Sequence, residues 1–218
     1  MQWAWPKWFE FFPQYQCTLK EEGEIIACVN AVPLFWDAPF EQLPDGLESA
    51  DSGWDWVVTQ SIMDFNNGVT PNALSAAAIV VAKQAQGRGL AAEAVQHLKT
   101  MARENGLKAV IAPLRPSKKR EYPHLEIEEY IQMRQEGSDL PFDPWLRLHV
   151  KLGGRIIKPC LESVVISENL DTWTKWTGVK FPQSGLYDIP GGDEPLIADV
   201  EENRGDYAAS GVWTVHDV

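Results

Sequence analysis

Cysteine is scarce in this chain: Cys17, Cys28 and Cys160 are odd in number, widely spaced and without a CxxC pair. That pattern suits neither a disulfide framework nor a zinc site, and it points to a reducing cytoplasm. Basic residues are also few, 19 Lys and Arg against 31 Asp and Glu, for a formal net charge of -12. Nucleic acids and anionic membranes hold proteins through Lys and Arg at their phosphates, so neither is expected as a partner. The aromatic-rich start, Met1 to Phe12, lacks a basic segment before an apolar run of signal-peptide length. No later stretch approaches the ~20 apolar residues that a spanning helix needs. No targeting or membrane segment is read, and no group of His, Cys, Asp or Glu shows the spacing of metal ligands, so no metal is expected. Internal repeats are absent as well.

What is present is enough apolar sequence, 44% of 218 residues, to bury one sizeable core. The expectation is a single domain over 1–218 with insertions at about 37–72 and 114–143. Tyr15 to Leu34 reads as a β-hairpin turning at Gly23. Residues 37–72 are rich in Pro, Gly and acidic residues, a lid-like connection with one helix from about Trp54 to Phe65. Leu74 to Ala82 is apolar throughout and reads as a strand buried on both faces. Leu90, Ala94, Leu98 and Met101 recur at helical spacing, and Asn105-Gly106 closes that helix. Leu107 to Ala112 reads as a strand stopped by Pro113, followed by a polar stretch with a short helix around Ile127 to Arg134. Asp143-Pro144 opens a helix through Leu152 that Gly153-Gly154 ends. Arg155 to Ile166 is a strand, and the tail to Val218 is read as strand and turn.

Between the apolar strand and the amphipathic helix lies Gln84-Ala85-Gln86-Gly87-Arg88-Gly89. A strand running through two glycines into a helix collects unpaired amides at a positive helix end, where they can donate to a pyrophosphate. A local anion site of this kind reconciles an anionic coenzyme with an acidic protein. The alternative is an ordinary tight turn. A Rossmann site wants a third glycine where this chain has Ala92, and a P-loop would need a GKS or GKT ending.

The order strand, Gln84-x-x-Gly87-x-Gly89, helix, strand, later helix and strand resembles the GCN5-related N-acetyltransferases (GNAT) from about Tyr15 to the C-terminus. The resemblance implies an α/β (α+β) fold, a mixed central sheet with splayed parallel strands flanked by helices. It implies acetyl-CoA or another acyl-CoA as co-substrate, with pantetheine wedged between Leu74 to Ala82 and Leu107 to Ala112. Val80, Val81, Ala82, Gln84, Gln86, Gly87, Arg88, Gly89 and Leu90 are the coenzyme-binding candidates it implies.

Many such enzymes carry a tyrosine in a Leu-Tyr-x-Lys-x-Gly pattern that protonates the leaving thiolate. Here the segment is Leu148-His149-Val150-Lys151-Leu152-Gly153, and His149 stands in its place. An imidazole both gives and accepts protons near neutrality; the bland alternative is a packed histidine on the side of Trp145 and Leu152. Arg115-Pro116-Ser117-Lys118-Lys119-Arg120 resembles a segment of the GNAT-like loading domains of polyketide synthases, which decarboxylate malonyl thioesters with a threonine and a histidine. Ser117 and His149 would stand for that pair. The basic run is open to three readings: a solvated loop, a clamp for the coenzyme's 3'-phosphate, or a docking patch for an acyl-carrier protein. Trp36, Trp54 and Trp56 are candidates to wall an acyl or acceptor pocket, with core packing as the alternative. His97, His124 and His216 receive no role. The functional expectation is acyl transfer to an amine, with a thioester decarboxylase or S-acyltransferase acting with a carrier protein, and a silent acyl-CoA binder, as alternatives. Partners are a small-molecule or carrier-protein acceptor and a second copy of the chain, paired through strand edges near Gly205 to Val215.

Overall fold

The computed structural model describes residues 4–46 and 52–218; residues 47–51, within the insertion expected at 37–72, lie outside the described residues, as do 1–3. Strand β1 (Gln16–Glu21) and β2 (Glu24–Leu34) form the expected hairpin. Glu22 and Gly23 turn it with φ of 50° and 90°. Two successive positive φ values are what a two-residue turn between twisted strands demands. Strand β3 (Ala73–Val81) pairs antiparallel with β2, and helix α3 (Leu90–Glu104) carries the chain across to β4 (Ala109–Leu114), parallel to β3. The buried face of α3, Leu90, Ala94, Leu98 and Met101, is the stripe read from the sequence.

Strand β8 (Arg204–Asp217) joins the two halves of the sheet. One edge pairs with β5 (Arg155–Glu168); the other pairs with β4 over Val212 to Asp217 and with β7 (Leu196–Asp199) over Arg204 to Asp206. A short β6 (Gly185–Tyr187) lies outside β7. Among the described residues this makes a mixed eight-stranded sheet, β1-β2-β3-β4-β8-β7-β6 with β5 also on β8. Helix α1 (Ala4–Phe11) packs on α2 (Gly53–Asn66) through a Trp5, Trp8 and Trp54 cluster, and Trp8, Leu34, Leu74, Ile111 and Trp213 are fully buried beneath. No helix of the described residues is long and apolar enough to cross a membrane.

The parallel pair is short. β3 and β4 pair only over Ala73 to Ser75 against Ala109 to Ile111, and then diverge. Leu74 is fully buried, but Val80 is 55% exposed, so the expectation of a strand buried on both faces holds only before the split. Pro113 does not stop β4, as expected, but pairs with Trp213 inside it. Past Ile111 that strand has β8 on one edge only, and an edge position accepts a proline. The helix expected around Ile127 to Arg134 is the single turn α4 (Ile127–Tyr130). Helix α5 (Pro144–Lys151) has Asp143 as N-cap, its carboxylate accepting from the Trp145 and Leu146 amides.

Three further departures have physical causes. The tail holds a helix, α6 (Leu170–Thr177), capped by the Asn169 side chain and ended by Gly178 at φ 75°. Those caps were readable, as was the basic Lys175 in the last turn. β5 makes an excursion between Cys160 and Val164 that α2 holds in place. Ser52 Oγ–H donates to the Glu162 carbonyl (2.7 Å), the Trp54 amide to Ser163 Oγ (3.0 Å) and the Val165 amide to Asp55 (2.9 Å). Gly53 lies against this excursion with φ 51°, and a Cβ there would meet Ser163 Oγ at 2.4 Å. Finally, the Gly205 to Val215 edge expected to pair between subunits is paired within the chain, with β5 on one side and β4 and β7 on most of the other.

Candidate functional site

At the end of β3, Ala85 is buried, Gly87 and Gly89 take φ of 77° and 84°, and Gly89 is the N-cap of α3. Among the described residues nothing accepts from the amides of Gly87, Arg88, Gly89, Leu90 or Ala91. Five donors therefore converge at a positive helix end. A Cβ on either glycine would meet nothing within 4 Å. Their requirement within the chain is thus the left-handed backbone, not a clash. Arg88 forms a two-pronged ion pair with Glu21 of the hairpin (2.6 and 2.9 Å), and both side chains remain about half exposed. The Gln86 side chain donates to the Val81 carbonyl (3.3 Å), Gln84 is exposed, and Ala82 packs on the Ile26, Ala85 and Leu90 cluster.

From this loop a cleft runs along the diverging strands. Its outer part, about 550 Å³, is lined by Val81, Gln86, Ala91 and Ser117 and by Pro144, Trp145 and Leu148 of α5. Its inner part, about 440 Å³, lies between Ala76–Ile79 and Pro113–Arg115, under Trp54, with Ser163 and Ser210 on its wall. Ile79 and Trp145 line both parts. The register of β3 against β2 shifts at Asn30/Ala31, leaving Ala77 without a partner in that ladder; its carbonyl accepts from Trp54 Nε1–H (2.8 Å). Such a bulge re-aims the strand beside a site. Past Ser75 the β4-side edge of β3 has no strand on it, so its peptide groups can pair with an extended chain carrying amides. Free amides at one end and an apolar, amide-lipped groove leading inward fit an acyl-CoA, pyrophosphate outside and thioester inside.

Of the three tryptophans expected to wall a pocket, Trp54 does, whereas Trp36 and Trp56 pack on each other and Trp56 on Trp213. Val81 lines the cleft, but Val80, one residue away on a pleated strand, is not among its lining residues.

A second cavity of about 470 Å³ adjoins the first across β8. Its lining holds Glu126, Glu162, Glu194 and Asp206, and no Lys or Arg. Ser210 lines both cavities and donates to Glu194. It sits where β8, between its β4 and β7 partners, has one unpaired edge, from Tyr207 to Gly211. The β5 excursion contributes to both sides, Glu162 to the acidic cavity and Ser163 to the cleft.

The basic run is mostly committed inside the chain. Lys119 is fully buried, its ammonium paired with Glu194 (2.9 Å) and donating to the Asp193 and Tyr122 carbonyls. Arg115 pairs with Asp193 and donates to the Gly191 carbonyl. Lys118 lies 4.0 Å from Glu121 and over the Phe142 ring. Only Arg120 is left exposed without such a contact, which corrects the picture of a contiguous phosphate clamp or carrier-docking patch.

Ser117 and His149 are not brought together. Ser117 lines the outer cleft, and its hydroxyl donates to Asp143 (3.3 Å). Asp143, 1% exposed, also accepts from the Tyr130 hydroxyl (2.9 Å), the Lys118 amide (2.8 Å) and the first amides of α5, so one carboxylate ties three segments. His149, also 1% exposed, lines neither part of the cleft. Its Nδ1 is hydrogen-bonded to Nε2 of His216 (2.9 Å), one nitrogen donating and the other accepting, and its ring stands edge-on to Trp145, with centroids 4.5 Å apart. Burial, reinforced by His216, pushes the His149 pKa down to about 3. Burial and the charge of Lys99 push His216 down to about 4, against the Leu152 carbonyl and Asp217. Both rings are neutral at pH 7, and the placement expected for a proton donor to the thiolate is not observed. The packed alternative is the one the geometry matches.

Glu194, Ser210 and Ser163 are site residues that the sequence did not single out, since no local motif marks them. Each depends on β5, β8 and the loop before β7 meeting at one point, and the only trace in the sequence is the polar Glu162-Ser163 pair inside an otherwise apolar stretch of β5.

Comparisons with known proteins agree with this arrangement. The family model described as "Acetyltransferase (GNAT) family" matches residues 1–122. Over 213 residues the chain is 31% identical to "Arginine N-acetyltransferase avaD" of Aspergillus versicolor, covering 89% of this chain and 71% of that protein. Among solved structures, the GphF GNAT-like decarboxylase in complex with isobutyryl-CoA superposes with a TM-score of 0.54 at 16% identity, covering 96% of this chain and 80% of that one. The loading GNATL domain of CurA from Lyngbya majuscula gives 0.50 at 17% identity, covering 94% and 77%. At those identities the two structures speak for the fold alone. The family match, the relative and the geometry together establish that this chain is an acyltransferase enzyme belonging to the GNAT acetyltransferase family.

Proposed function

We propose that the protein transfers the acetyl group of acetyl-CoA to the amine of a small cationic acceptor, with arginine-like molecules the leading class. The observation that carries this reading is the acidic cavity meeting the acyl cleft at Ser210. Glu194 and Asp206 are paired with Lys119 and Arg204, but Glu126 and Glu162 carry no such ion pair among the described residues and favour a cation, and the similarity to an arginine N-acetyltransferase agrees in sign. The loop amides of 87–91 receive the pyrophosphate, with Gly87 and Gly89 supplying the backbone conformation and Arg88 a charge released from Glu21. Val81 and Gln86 flank the arm, and Ser117 offers its hydroxyl to it.

The acceptor must attack as a free amine. Glu194 reaches the junction only through Ser210 and its carboxylate is already held by Lys119, so it fixes the Ser210 hydroxyl at the junction while the ammonium form of the acceptor gives its first proton to water. The amine nitrogen bonds to the thioester carbonyl carbon, the carbon–sulfur bond breaks, and the proton lost by nitrogen ends on the departing thiolate. Holding both reactants in one cleft supplies most of the acceleration. A decarboxylase would need Ser117 and His149 to work on one acyl group, and the burial of His149 weighs against it.

The test is turnover of acetyl-CoA by the purified protein with arginine, lysine or an uncharged primary amine of similar size, followed as free thiol and acetylated product. Acetylation that is fastest with the cationic amines supports the reading. Binding of acetyl-CoA with no amine product, or conversion of malonyl-CoA to acetyl-CoA, would overturn it.

A further inference from the structure

We infer that Trp145, seated on the buried His149–His216 pair, forms the neck of the cleft and selects the acyl group by excluding bulk next to the thioester carbonyl. This inference rests on the acyl-CoA reading of the cleft. Trp145 and Ile79 are the two residues that line both its outer and its inner part, so the boundary between coenzyme arm and acyl chamber runs between these two side chains. A flat indole and a branched aliphatic chain at one boundary pass the linear β-alanyl-cysteamine end of the arm and obstruct an acyl skeleton that branches next to the carbonyl.

A neck discriminates only if it is rigid, and Trp145 is fixed at both ends. Its amide donates to the Asp143 carboxylate (2.9 Å), which Tyr130 and the Lys118 amide hold in turn. Its ring meets the His149 ring edge-on, at an interplanar angle of 88°. The two residues are four apart on α5, the spacing that puts side chains on one face. His149 cannot swing away, because its Nδ1 is bonded to His216 Nε2 on β8, and Gly154 closes over His216 so tightly that a Cβ there would lie 2.7 Å from the ring. The chain from β8 through both histidines to the tryptophan couples the central sheet to the neck. In this arrangement His149 is a positioning residue that supports a ring and transfers no proton.

The experiment compares kcat/KM for acetyl-CoA and isobutyryl-CoA with one amine acceptor, alongside direct binding of both thioesters, in the unmodified protein, Trp145→Ala, His149→Gln and His149→Phe. The expected result is an isobutyryl-to-acetyl ratio raised at least tenfold by Trp145→Ala, raised less by His149→Gln, and held near its original value by His149→Phe, which keeps an aromatic seat. Because the readout is a ratio between two substrates, a general loss of stability does not move it. A ratio unchanged in Trp145→Ala while both thioesters still bind would overturn the neck. A His149→Phe ratio no different from that of His149→Gln would overturn the seat. Failure of the unmodified protein to bind either thioester would instead overturn the acyl-CoA reading itself, and the neck with it.

Discussion

Acidification tests the buried histidine pair directly. Both rings have folded pKa values depressed below the ordinary histidine value, to about 3 and about 4, chiefly by burial. Groups of this kind take up protons more readily unfolded than folded, so their contribution to stability is complete above the unfolded pKa and is lost as pH falls toward the folded values. At pH 5.5 both rings are still neutral in the native protein, and the depth of each depression drops out. What matters is the unfolded chain, in which an ordinary imidazole gains about 1.4 kcal/mol by protonating one unit below its pKa. Two rings therefore remove about 2.7 kcal/mol between pH 7.5 and pH 5.5, or roughly 5–10 °C in melting temperature for a chain of this size. The acidic surface acts in the opposite direction, since protonation relieves the self-repulsion of a chain of net charge -12. A variant carrying His149→Gln and His216→Gln leaves that background in place and cancels it from the comparison. Urea unfolding of both proteins at the two pH values is the assay. The unmodified protein is expected to lose about 2.7 kcal/mol more than the variant on acidification. Equal losses would mean that the rings are not held neutral, and would refute the burial argument.

Three other outcomes are expected. Gly87→Ala or Gly89→Ala forces a side chain into the left-handed region at a cost of about 1–2 kcal/mol, so acetyl-CoA binding, measured by calorimetry, should weaken by roughly tenfold while the amine KM holds. Asp143→Ala leaves the Tyr130 hydroxyl, the Lys118 amide and the first amides of α5 without their acceptor; a loss of at least about 3 kcal/mol in denaturant unfolding is expected, with Asp143→Asn intermediate. Glu162→Gln together with Glu126→Gln should raise the KM for arginine by about fivefold per charge removed and leave that of an uncharged amine unmoved, as a partly solvated ion pair is worth about 1 kcal/mol.

The hairpin at Glu22-Gly23, the stripe of α3, the Asp143-Pro144 start of α5 and the Gly87-Gly89 loop were legible in the sequence, because each depends on backbone torsions or on periodicity within a few residues. The order of those elements carried the fold class and the family resemblance with them. α6 is equally legible, because Asn169 and Gly178 mark its two ends within the tail. Other features have no local signature. Whether Arg115 and Lys119 form a free basic patch is decided by Asp193 and Glu194, more than 70 positions away. Whether His149 faces a substrate or a partner is decided by His216 on β8, and the acidic cavity gathers Glu126, Glu162, Glu194 and Asp206 from four separate segments. The sequence by itself determined which short segments bend, coil or extend, since torsional preference is a property of neighbouring residues. Tertiary structure decided which charges neutralise one another and which side chains reach the cleft, because those outcomes depend on distances between segments that packing alone brings together.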